Sequence, residues 1–177
     1  MTLLDDGPSR TGLLVGELLG APPAAAALAT LIDRPILLAI GPRAAATRGG
    51  QAMFATAAQL LGRLFEFAPA IDVSGCTAPV LGAGGGLEPG APLGAATLKA
   101  LERLAVPALG SRLRHRLASS RVDYELALVI GDAPPGLART VVAIDGDGWT
   151  ARIAPTPCPL ANRGAGLFNP FGPLAAA

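Results

Sequence analysis

PILLAIGPRAAATRGGQAMFATAAQLLGRLFEFAPAIDV, residues 35–73, decides the fold. PILLAIG, 35–41, is a continuous apolar run too short for a helix, and it reads as a strand buried on both faces, as in a parallel sheet. A Gly/Pro/Arg loop follows. From Gly49 the spacing becomes helical, with Met53, Ala57, Leu60, Leu61 and Leu64 on one side and Gln59, Arg63 and Glu66 on the other. A second short apolar run, 70–73, reads as another strand. Strand, loop, helix, strand is a βαβ unit, whose crossover is right-handed in nearly all proteins.

The pattern extends outward from this unit. Residues 1–20 form a loose start with a short helix over LLVGELL, and Pro22 and Pro23 open a helix through Ile32, a position where proline's missing N–H does no harm. Ala24, Ala27, Leu28, Leu31 and Ile32 form its apolar face. The Gly/Pro-rich stretch 74–92 reads as irregular. A helix is expected from Leu93 to Leu104, with Leu98, Leu101 and Leu104 inward and Lys99, Glu102 and Arg103 outward. ELALVIGD, 125–132, is a third strong strand. RTVVAID and WTARIA follow around GDG, a hairpin signal that adds an antiparallel pair late in the sheet. The fold class predicted is α/β and Rossmann-like: a mostly parallel sheet flanked by helices, in a single domain over residues 1–177. There is no internal repeat and no clear linker.

Composition narrows the function classes. A chain of 177 residues that is 51% hydrophobic has material for one core and is not disordered. Folding at this size buries roughly 70% of the extended-chain surface. Aromatics are only 4%, so Ala, Leu, Val and Ile build that core. The net charge of +1 gives no global basic field for nucleic acid. Lys99 is the only lysine, and with high Ala, Gly, Pro and Arg this points to a GC-rich bacterial source. Cys76 and Cys158 are far apart and in no CxxC pair, so neither a disulfide framework nor a zinc site is expected. The acidic N-terminus is unlike a secretory signal, and no apolar run reaches the roughly 20 residues a membrane span needs. A cytoplasmic location, with no membrane and no nucleic-acid partner, is the expectation.

In an open parallel sheet, ligands bind beyond the C-terminal ends of the strands. Three such ends carry candidate residues. The loop 41–50 holds Gly41, Arg43, Arg48, Gly49 and Gly50 at a helix N-terminus, where backbone N–H groups, the helix dipole and two guanidiniums suit a phosphate. Its glycines do not match GxGxxG, and a solvated connecting loop is the plainer reading. Asp72 is placed to bind a ribose hydroxyl pair, or to serve as a cap or turn former. Asp132 is placed to hold Mg²⁺, or to form the turn before Pro134. VLGAGGGLEPG, 80–90, lacks the strand and helix that a dinucleotide fingerprint needs and reads as a surface loop. SRLRHRLASSR, 111–121, clusters arginines around His115 and reads as one solvated face. Asp145 and Asp147 serve the GDG turn. Neither cysteine has a visible base partner, and no catalytic or metal-binding residue is assigned.

Three stretches together resemble a known family: residues 34–65, DYELALVIGD with the GDGWTARIAP hairpin, and the closing NPFG, 169–172. They look like the N-terminal, Rossmann-like portion of bacterial ThiF-family proteins, relatives of ubiquitin-activating enzymes. The resemblance implies activation of a ubiquitin-like protein with ATP and Mg²⁺, in company with an active adenylation domain or downstream catalytic domain and a conjugating enzyme. This sequence departs from the family's phosphate loop, its basic residues at the triphosphate and its CxxC pairs. The resemblance therefore implies a non-catalytic pseudo-adenylation scaffold, cut short where the family starts a long helix. Only Arg43, Arg48, Asp72 and Asp132 match by position. Two alternatives stand beside it: a small nucleotide-binding enzyme or sensor using loop 41–50, and a purely structural α/β module with an empty crevice.

Overall fold

A computed structural model describes residues 34–63, 70–82, 86–104, 114–119, 122–132, 136–147 and 150–155. The expected N-terminal helices, Cys158 and the NPFG tail lie outside the described residues. In chain order the elements are β1 (Ile36–Ile40), α1 (Pro42–Ala45), α2 (Arg48–Arg63), β2 (Ala70–Val73), α3 (Leu93–Leu104), β3 (Arg114–Leu117), β4 (Leu126–Ile130), β5 (Thr140–Asp147) and β6 (Thr150–Pro155).

The strands form one sheet in the order β3-β2-β1-β4-β5-β6. All pairings are parallel except β5 with β6, the antiparallel pair expected from the Asp-Gly turn. The α/β architecture with a late hairpin is therefore as the sequence predicts. β1 lies near the middle, with Leu37 beside both Asp72 of β2 and Ala127 of β4. An all-apolar ILLAI segment suits that place, because its alternate side chains enter different layers.

The first face of the sheet packs against the helices. Leu38, Ile71, Val73, Ile130 and Ile144 meet Met53, Phe54, Ala57 and Ala58 of α2 and Leu93, Ala96 and Leu101 of α3. The second face carries Leu37, Ala39, Ala127, Val129 and Val141, packed with Tyr124 and half-buried Ala118, Val122, Leu137 and Ala138. The connection from β3 to β4 spans only residues 118–125, and that from β4 to β5 only 131–139. Each is too short for a helix of several turns at 1.5 Å per residue as well as the return path across the sheet.

Two expectations need correction. The basic run around His115 is not simply a solvated face: Arg114–Leu117 is a strand at the sheet's edge, paired in parallel with β2. Its apolar signal is weak because an edge strand leaves long basic side chains a route to water. The buried stripe of α2 is also turned from its expected position. Phe54 and Ala58 are fully buried while Leu60 and Leu61 are only half-buried, because α2 packs against α3 as well as against the sheet. α3 keeps its expected bounds, with Leu101 buried, Leu98 and Leu104 half-buried, and Lys99, Glu102 and Arg103 exposed.

Candidate functional site: the reversal point of the sheet

The strand order reverses between β1 and β4, and the crevice beyond their C-terminal ends is where an open parallel sheet takes its ligand. The loop 41–50 lies there. It is not an open loop: Pro42 starts the single turn of α1, using a residue whose missing N–H is no loss in a first turn. α1 sits down into the crevice, with Ala44 and Ala45 buried. Opposite it, Gly131 has φ +78°, and a Cβ added there would lie 2.7 Å from the Ala44 methyl. Gly41 faces the backbone of Asp132 with no room for a side chain, and its N–H donates to the Ile130 carbonyl at 2.8 Å.

Side chains complete the closure. Arg43 Nε lies 3.2 Å from Asp132 Oδ2, over the outside of α1, with Arg43 largely exposed. Thr47 caps α2: its Oγ1 accepts from the Gly50 N–H at 3.0 Å, and its carbonyl accepts from the Gln51 N–H at 3.1 Å. The Gly50 N–H is one of the free first-turn donors that a phosphate at this helix end would use, whereas the Gln51 bond is the first of the helix's own ladder. Gly50 is buried against the Ala44 carbonyl, Gly49 is half-buried and Arg48 is exposed. Gln51, buried one turn in, donates from Nε2 to the carbonyls of Ala45 and Pro79, both at 2.8 Å, and accepts the Leu81 N–H at 2.8 Å. One amide thus fastens α1, α2 and the segment 79–81 together.

Gly41, Arg43, Gly50 and Asp132 therefore come together around α1. Asp72 does not join them. It lies within β2 on the second face, 1% exposed, and both carboxylate oxygens are engaged. Arg116 Nε donates to Oδ1 at 2.9 Å and to Oδ2 at 3.1 Å, and the Tyr124 hydroxyl donates to Oδ2 at 2.8 Å. Burial, then the bond to Asp72, pushes the Tyr124 phenol up to about 12. The same carboxylate raises the Arg116 guanidinium above its ordinary value. Sequence reasoning missed Tyr124, Gln51 and Arg116. The available signal was Tyr124 itself, the chain's only tyrosine, immediately ahead of a strong strand.

Beside this network lies a cleft of about 520 Å³ on the second face. Leu37 and Ala39 line it together with Ser74, Ser119, Tyr124 and Arg139, but neither Arg43 nor Asp72 does. At its rim Glu125 lies 2.8 Å from Arg34 and 3.7 Å from Arg139, tying the starts of β1, β4 and β5. His115 is half-buried with its Nε2 lacking a partner; burial lowers its pKa while Glu102 works the other way. Cys76 is a half-buried free thiol. Asp145 Oδ1 accepts the Gly146 N–H at 2.8 Å, but Asp145 lies within β5 opposite Arg152 and not in the turn expected of it. Among the described residues, no three His, Cys, Asp or Glu side chains are grouped so as to hold a metal ion. Among the same residues, no helix is long and apolar enough to cross a membrane.

No curated protein matches the chain. One family model does match, and it is not that of the ThiF adenylating proteins, so the resemblance to them is withdrawn together with the adenylation and ubiquitin-like conjugation roles it implied. That model, described as the BilD N-terminal domain, covers residues 35–177, and the chain belongs to the BilD N-terminal domain family.

Proposed function

We propose that this chain acts as a structural α/β module, a rigid unit to which other parts of a BilD protein attach. One observation carries the reading: α1 packs against the end of β4 at the sheet's reversal point, with Ala44 and Ala45 buried. The close approach of the Ala44 methyl to Gly131 and of the Asp132 backbone to Gly41, with Ala44 and Ala45 buried, supports it: among the described residues α1 packs tightly where a phosphate or nucleotide would sit in an open parallel sheet. The bonding in the same loop supports it. The Thr47 hydroxyl already accepts the first-turn N–H of Gly50, and the carboxylate of Asp132 already faces Arg43. Asp72, the other candidate for nucleotide contact, spends both oxygens on Arg116 and Tyr124.

The test is titration calorimetry of the full chain with ATP and Mg²⁺, on wild type and Arg43→Ala, with circular dichroism to confirm that both samples are folded. The module reading expects no saturable heat from either protein. Saturable binding by wild type that Arg43→Ala abolishes would overturn it and restore loop 41–50 as a nucleotide site.

A further inference from the structure

Among the described residues, short connections and no helices cross the second face of the sheet. The β3–β4 connection, 118–125, and the β4–β5 connection, 131–139, each lead from the C-terminal end of one strand back to the start of the next. Ala118 and Val122 of the first, and Leu137 and Ala138 of the second, pack on that face. The cleft of about 520 Å³ is lined by both connections. It reaches from Ser74 and Ala118, just beyond β2 and β3, over Leu37 and Ala39 of β1, to Asp123 and Arg139, just ahead of β4 and β5. That volume falls in the range of roughly 300–1,000 Å³ usual for small-molecule sites, and an apolar floor with a few polar groups is their usual lining.

The charged end of the cleft selects the ligand class. The Arg139 N–H donates to the Tyr124 carbonyl at 2.9 Å, which brings Arg139 alongside Asp123, one residue earlier. The Arg139 side chain is 81% exposed and lies 3.7 Å from Glu125, beyond hydrogen-bond reach, so among the described residues its side-chain donors are uncommitted. Asp123 is exposed, and among the described residues its carboxylate has no hydrogen bond or ion pair. Glu125, by contrast, is held by Arg34 at 2.8 Å, and the Tyr124 hydroxyl by Asp72 at 2.8 Å. Here Arg34 and Arg139 balance Asp123 and Glu125. An anion alone would face the Asp123 carboxylate, and a cation alone the Arg139 guanidinium. A ligand with one charge of each sign pairs with both.

We propose that this cleft binds a free α-amino acid with a large apolar side chain. The ligand's carboxylate lies on Arg139 and its ammonium on Asp123, and its side chain extends over Leu37 and Ala39 towards Ser74. A polar side chain there would give up its hydration over an apolar floor. Both charge contacts are made beside water, so binding is weak, with a dissociation constant on the order of 1 mM.

NMR titration of the isotope-labelled full chain with L-leucine and L-phenylalanine, each taken to about 20 mM, tests this. Saturable shifts are expected at the amides of Gly75 and Gly136, which lie in the cleft lining. Asp123→Asn and Arg139→Gln should each raise the dissociation constant about fivefold or more. Both side chains are exposed, so both variants should keep the wild-type thermal transition. L-serine, which lacks the apolar side chain, and N-acetyl-leucine amide, which lacks both charges, are expected not to saturate. No saturation of wild type by either apolar amino acid, saturation by the blocked amide at equal affinity, or wild-type affinity in both folded variants would each overturn the proposal.

Discussion

Replacing Tyr124 by Phe removes one oxygen and leaves the ring in its packing against the second face. That oxygen donates one of the three hydrogen bonds reaching the carboxylate of Asp72, which is 1% exposed. A hydrogen bond to a charged group contributes about 1.5–3 kcal/mol, and here the loss leaves a buried carboxylate oxygen with Arg116 alone. For a domain of this size each kcal/mol moves Tm by about 2–4 °C, so Tyr124→Phe is expected to lower Tm by roughly 3–12 °C at pH 7. Calorimetric melting reads the change directly. A second readout follows from composition. Tyr124 is the only tyrosine, so the phenolate absorbance of the folded chain titrates this residue alone, with a midpoint near 12. Since the folded value lies above the unfolded value of about 10, the stability it contributes is full below pH 10 and is lost as pH rises from 10 to 12. A Tm within 1 °C of wild type for Tyr124→Phe, together with a phenolate midpoint near 10, would refute this account of the network.

Further outcomes follow from single positions. Gly131→Ala places a side chain at φ +78° against the Ala44 methyl, and should cost about 1–3 kcal/mol by urea unfolding; a smaller loss would mean that α1 is loosely seated. Thr97→Val replaces a buried hydroxyl that has no partner with a methyl of the same shape, and is expected to leave Tm unchanged or raise it, with a fall of several degrees counting against the packing described between α2 and α3. His115 titrates below its ordinary 6.5, so the unfolded chain takes up its proton first. Stability should therefore hold above pH 6.5 and decline as pH falls below it. Urea midpoints at pH 7.5 and 5.5 should separate less in His115→Gln than in wild type.

How much of this was legible depends on what each residue does alone. The apolar runs of β1 and β4 and the helical spacing of α3 announce themselves, because their burial is set by local pattern. The Asp-Gly turn announces β5 and β6 in the same way. β3 was hidden because RHRL satisfies itself at an edge through one long-range partner, Arg116 on Asp72, 44 positions earlier. The candidate site was legible as a location and illegible as a shape. Gly41, Arg43 and Asp132 do converge beyond β1 and β4, yet whether a crevice there is open depends on where the Ala44 methyl falls relative to Gly131. No spacing rule encodes that contact across the sheet. Tyr124 and Gln51 were missed for the same reason: a lone tyrosine and a lone glutamine in helical context carry no pattern, and their partners lie on other elements.

The order of strands divides the chain along a single seam. β1, β2 and β3 come from residues 36–117 and β4, β5 and β6 from residues 126–155, and the described strands of the two stretches meet only where β1 pairs with β4. Within the first stretch, Ile36 reaches its partner Ile71 across 35 positions; at the seam it reaches Leu126 across 90. Closing the longer loop costs about 0.8 kcal/mol more chain entropy than closing the shorter one. The pairings within the first stretch are therefore the cheaper ones to close, and the seating of Ala44 on Gly131 reports the docking of the second stretch onto it. A cut between Ser119 and Val122 would leave the two pieces to reunite through this seam, through α2 covering Ile130 and Ile144, and through the Tyr124 bond to Asp72, so the second piece has no cover of its own for the face it presents to α2.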